Sequence, residues 1–94
     1  MKWTQEEAIA FECAREVITD MMAICSADID KEECKQSPDL ERLALLETEL
    51  ARLADERAAL TVSDQDEVAR VRKEYGAKVR QRRQQRQTQG IESK

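Results

Sequence analysis

Apolar residues recur with a helical period in three successive stretches of the chain. The middle stretch is the clearest. Leu43, Leu46, Leu50, Leu53 and Leu60 are separated by three, four, three and seven residues, the a/d spacing of one side of a coiled coil or helical bundle. Leu40 and Leu45 widen this face, and Ala44, Ala51, Ala54, Ala58 and Ala59 favour helix. Arg57 holds a seam position near the end, where its stem snorkels or the seam opens. Ser37-Pro38-Asp39 predicts the start of this helix, with Ser37 as cap and Pro38 in the first helical position.

The first stretch opens on a capping box, Thr4 with Glu7. Ile9, Ala10, Phe11, Cys13, Ala14, Val17, Ile18, Met21, Met22, Ile24 and Cys25 then cover half the helix circumference. That face is broader than one neighbouring helix covers. Glu12, Glu16 and Asp20 lie on the opposite side at intervals of four. Asp28 falls back on the apolar face, so the helix is expected to end there and Asp30 to Gln36 to form a polar linker.

The third stretch is thinner, with only Val68, Val71, Tyr75 and Val79. Ser63 and Asp66 give a weak start signal. Gly76 costs about 1 kcal/mol against Ala inside a helix, which predicts a stop or kink at Tyr75. No apolar face continues beyond Val79. The reading is therefore an all-α chain of three helices at 4–28, 38–60 and 64–86. The first two form an antiparallel hairpin along the leucine seam, and the third is a basic helix. Residues 1–76 are the bundle domain. Residues 77–94 are a basic, Gln/Arg-rich extension, part helix and part disordered.

Composition agrees with helices. Aromatic residues make up 3% of the chain and charged residues 38%, with 2 Gly and 1 Pro, too few turn formers for a sheet. With 94 residues the margin of stability is small. There is no apolar run of membrane-spanning length, and acidic residues stand where a signal peptide needs an apolar core. A cytoplasmic protein without membrane contact is expected. The 3 cysteines, unevenly spaced, form no disulfide framework.

Charge is divided along the chain. Residues 1–67 carry 18 acidic and 7 basic side chains, a net of −11, whereas residues 68–94 carry 2 acidic and 9 basic, a net of +7. Arg70, Arg72, Lys73, Lys78, Arg80, Arg82, Arg83 and Arg86 are thus candidates for phosphate contact, with charge pairing to the acidic helices as the competing use. No aromatic residue follows Tyr75, so stacking on single strands has no support.

Candidate chemistry is sparse. Glu12, Glu16 and Asp20 are stacked one turn apart, as Mg²⁺-binding acids on helices are, but they lie on the face where solvated acids are expected. The chain has 0 histidines, which removes the usual base for a nucleophilic cysteine and the usual helical di-iron ligands. No Gly-rich phosphate loop is present. No enzyme, cofactor, metal or small-molecule substrate is expected.

The expectation is a small protein–protein interaction module, a homodimer or the partner of another helical protein. Leu43, Leu46, Leu50, Leu53, Met21 and Met22 form its interface, and its acidic body suits a basic partner. Two hairpins packed as a dimeric four-helix core would cover both apolar faces. The alternative is a nucleic-acid-associated protein that contacts phosphates through residues 70–86.

Overall fold

The computed structural model describes residues 3–92, with side chains up to Gln85. Three helices, α1 (Gln5–Glu33), α2 (Leu40–Ala59) and α3 (Gln65–Glu92), account for most of them, and no strand occurs among the described residues. None of these helices is long and apolar enough to cross a membrane.

The capping box forms as its sequence predicts. The Thr4 hydroxyl accepts the Glu7 N–H at 3.1 Å, and the Glu7 carboxylate accepts the Thr4 N–H at 2.7 Å. At its other end α1 runs past Asp28 to Glu33, which corrects the expected stop near residue 28. Two acids on the inner face allow this, because each has partners. Asp28 pairs with Arg82 of α3. Glu32, only 3% exposed, accepts the Asp39 N–H and pairs with Lys35 and Arg42.

The linker is consequently shorter than the sequence suggests, and α2 is capped by Asp39, not Ser37. The Asp39 carboxylate accepts the Arg42 N–H at 3.1 Å while its own N–H is held by Glu32. Asp39, bonded through both its carboxylate and its backbone N–H, takes the cap position in place of Ser37. The start of α3 shifts in the same way, from Ser63 to Asp64, whose carboxylate accepts the Glu67 N–H at 3.2 Å. α3 passes through Gly76 without the expected break. Tyr75 and Val79, 4% exposed each, anchor the helix on either side, and their burial outweighs the glycine penalty. The residue 77–94 extension continues this helix to Glu92.

α1 is the hub. Backbones approach closely only in the α1–α2 and α1–α3 pairs among the described residues. Along α1 and α2, the contacts are Glu32 with Arg42, Cys25 with Leu46 and Thr19 with Arg57. α2 and α3 meet through side chains. Tyr75 donates to Glu56 at 2.5 Å and Arg70 reaches the same carboxylate at 2.7 Å.

The core joins Ala14 and Ile18 of α1, Leu53 and Leu60, and Val68, Val71 and Tyr75 of α3. It sits beside the α2–α3 turn, and its large, fully buried side chains are Ile18, Leu53, Val68 and Val71. The radius of gyration is 16.0 Å and the extents are 54 × 32 × 14 Å, against a radius of about 12 Å for a compact chain of this length, as helices of 29, 20 and 28 residues packed side by side require. Beyond the core, buried Cys25 and Glu32 and the Asp28–Arg82 pair continue the packing towards the α1–α2 linker.

Candidate functional site

Exposure of the α2 leucines rises towards the start of the helix. Leu53 is fully buried and Leu60 is 7% exposed, both inside the core. Leu50, Leu46 and Leu43 of the seam are half-buried, and the flanking Leu45 and Leu40 are 72% and 77% exposed. The seam is therefore fully covered only near Leu53 and Leu60, and its flanks are open near the start. Leu53, one of the expected interface residues, packs within the chain. Met21 and Met22 are half-buried and pack on the core's edge.

Near the start of α2, beside Arg42, lies a groove of about 540 Å³. Ala23, Ile24 and Ala27 of α1 line it, and Lys31, Arg42, Arg82 and Gln85 also border it. Asp28 sits among these cations, and its carboxyl is held below the usual carboxylate range, chiefly by the hydrogen bond from Arg82. Met21, Ile24, Lys78 and Arg82 line a smaller depression along the same α1–α3 cleft.

The basic candidates separate into two groups. Arg70 contacts Glu56, Glu67 and Glu74, Arg82 contacts Asp28, and Arg83 lies 3.7 Å from Asp20. Lys78 rests over the Tyr75 ring at 5.5 Å. Arg72, Lys73 and Arg80 are exposed and make no ion pair among the described residues. The side chain of Arg86 lies outside the described residues. The competing use of these charges, pairing with the acidic helices, thus accounts for three of them.

The acidic stripe is spread along the α1 surface. Glu12 and Glu16 are exposed, and no cluster of His, Cys, Asp or Glu among the described residues is placed to hold a metal ion. Cys13 and Cys25 are half-buried and buried, and Cys34 is exposed, all as free thiols. The Cys25 thiol donates to the Leu46 carbonyl at 3.1 Å, and burial raises its pKa. It is a protonated bridge between two helices.

Two features escaped the sequence. Glu32 was read as linker, although Ile18, Cys25 and Glu32 continue one face at intervals of seven. In the Arg52–Glu56–Tyr75–Arg70 network only Arg52 and Glu56, four residues apart, leave a local signal, since the bonds to Tyr75 and Arg70 cross from α2 to α3. Compared with protein-family models, with curated proteins and with solved structures, the chain gives no match.

Proposed function

We propose that the chain is a protein-interaction module that binds a second copy of itself through the open end of α2. One observation carries this reading. Beyond the core the seam leucines Leu50, Leu46 and Leu43 are only half-buried, and the flanking Leu45 and Leu40 are 72% and 77% exposed. Apolar surface left in water costs about 25 cal/mol per Å², and contiguous patches of it mark interfaces. The contact order Glu32–Arg42, Cys25–Leu46, Thr19–Arg57 supports an antiparallel α1–α2 hairpin as the unit that pairs. Two such hairpins make a four-helix core with a coiled-coil-like seam and a two-fold axis.

The acidic body gives the module a second preference, for a basic protein surface. Free Cys13, Cys25 and Cys34 suit a reducing compartment, and we place the protein in the cytoplasm on that ground. A catalytic role is not part of the reading.

Sedimentation equilibrium tests it. A species twice the 10.8 kDa chain mass, dissociating on dilution, is the expected result. A 10.8 kDa species at every concentration up to millimolar removes self-association.

The nucleic-acid reading retains one specific support, the exposed Arg72, Lys73 and Arg80, which make no ion pair among the described residues. Binding through them would weaken steeply with salt, whereas apolar pairing would not.

A further inference from the structure

We propose that the groove between α1 and α3 is the receptor for Leu45 of a second copy, in a reciprocal, two-fold contact. The inference rests on the self-association reading and names the site that performs it.

A two-fold interface needs knob and hole on one patch, because each copy must offer both. That condition is met here. Arg42 lines the groove, and Leu45 stands three residues further along α2, on the same helix face. Leu45 is 72% exposed, one of the most exposed large apolar side chains described. The groove next to it has an apolar wall of Ala23, Ile24 and Ala27. Opposite that wall stand the polar Arg82 and Gln85 of α3, and Asp28, Lys31 and Arg42 complete the lining among the described residues. At about 540 Å³ the space exceeds what a leucine side chain needs.

Charge is complementary across the same patch. Leu45 is flanked at intervals of four by Glu41 and Glu49, which lie on its face of α2. The groove is bordered by the cations Lys31, Arg42 and Arg82 with the single carboxylate Asp28 among them, which feels the charge of all three, so the lining keeps a net positive charge. Within the chain Arg82 is held by Asp28 and Arg42 lies 3.4 Å from Glu32. Glu49 is taken by Arg52. Lys31 and Glu41 are both exposed and make no ion pair among the described residues. A second copy turned about the two-fold axis brings the acid beside the knob against the cation beside the hole, twice per dimer.

The test is a charge swap read by sedimentation equilibrium. Lys31→Glu and Glu41→Lys each place like charges in contact, and each is expected to raise the dimer dissociation constant about tenfold or more. The double variant Lys31→Glu/Glu41→Lys restores opposite charges and should return the constant to near the wild-type value. Leu45→Asp should give monomer at concentrations where the wild type is dimer. All these positions are exposed, so helical content by circular dichroism should stay constant. A wild-type dimer indifferent to all four variants, or a double variant no better than the singles, overturns the groove while leaving self-association intact. A wild type that is monomeric throughout removes both.

Discussion

The Glu32 carboxylate accepts the backbone N–H of Asp39 at 3.0 Å, joining the last turn of α1 to the cap of α2. This bond sets where one helix stops and the next begins. Lys35 and Arg42 complete the charge on the same carboxylate, and a buried acid without such partners would be costly. The Asp39 bond, then Lys35, hold the Glu32 carboxyl below its usual range against the opposing effect of burial.

That shift fixes the sign of a pH effect. An acid whose folded pKa lies below its unfolded value stabilises the fold above the unfolded pKa, about 4.3 for Glu. The contribution is lost as pH falls through the folded pKa. The urea midpoint should therefore drop on acidification below about pH 4. In Glu32→Gln, which keeps an oxygen for the Asp39 N–H, the midpoint should be lower at pH 7 and depend less on pH. A parallel acid profile in both proteins would remove Glu32 as a source of the dependence.

The uneven burial along α2 predicts graded costs of truncation. Leu53→Ala should cost about 2–5 kcal/mol, the range for large-to-small changes in a core. Half-buried Leu50 should cost less, and Leu40→Ala, at 77% exposure, under about 0.5 kcal/mol. Denaturant melts at dilution, where any dimer has dissociated, give the order directly. Equal costs at positions 53 and 40 would mean that the seam is covered along its whole length within one chain.

The fold class was legible because three segments carry a 3.6-residue period, and this needs no tertiary knowledge. The exact ends were not. Asp28 and Glu32 look like breaks in an apolar face until Arg82 and Arg42 are placed opposite them. Gly76 looks like a stop until Tyr75 and Val79 are seen to be buried. For the two acids the deciding partner lies on another helix, and for Gly76 the deciding fact is the burial of its neighbours. Of the candidate interface, periodicity picks out the leucines, but only their burial against α1 and α3 shows which of them stay uncovered within the chain.

Tyr75 offers a test of the α2–α3 network. Its hydroxyl donates to Glu56 at 2.5 Å and accepts from Arg52 at 3.3 Å, and the side chain is 4% exposed. Tyr75→Phe should cost about 1.5–3 kcal/mol, the range for hydrogen bonds to charged groups. Burial, and next the Glu56 bond, raise the folded pKa of this phenol. The neutral phenol is then favoured in the fold, and its contribution is lost as pH rises from about 10, the unfolded value, through the folded one. The phenylalanine variant should lose less stability above pH 10 than the wild type. An identical alkaline profile would place the phenol in water.

Gly76 is predicted to be improvable. Its backbone is not in the left-handed region, so no conformational need for glycine exists. A Cβ there would meet only the end of the Arg80 side chain at 3.5 Å, an ordinary contact. Gly76→Ala should stabilise the protein by about 0.5–1 kcal/mol through helix propensity. A thermal melt shifted downward would show that the site is tighter than this.

Asp28 and Arg82 decide whether the basic end of α3 belongs to the bundle. Their carboxylate and guanidinium make two contacts, one of them 3.1 Å, with side chains 18% and 32% exposed. Beyond Val79, α3 is tied to α1 by this pair and by the looser Arg83–Asp20 approach at 3.7 Å. Removing Arg82 leaves a half-buried carboxylate with only the more distant charges of Arg42 and Lys31 to balance it. Arg82→Ala should therefore cost about 1–2 kcal/mol, between an exposed pair and a fully buried one. Arg80→Ala, two residues away, exposed and in no ion pair among the described residues, should cost under about 0.5 kcal/mol. The Asp28 carboxyl, followed by NMR titration, should rise towards or above its usual pKa in the Arg82 variant, since the largest lowering influence is gone and burial remains. Equal stability of the two variants, with an unmoved Asp28, would detach this segment from the bundle and return its arginines to solvent.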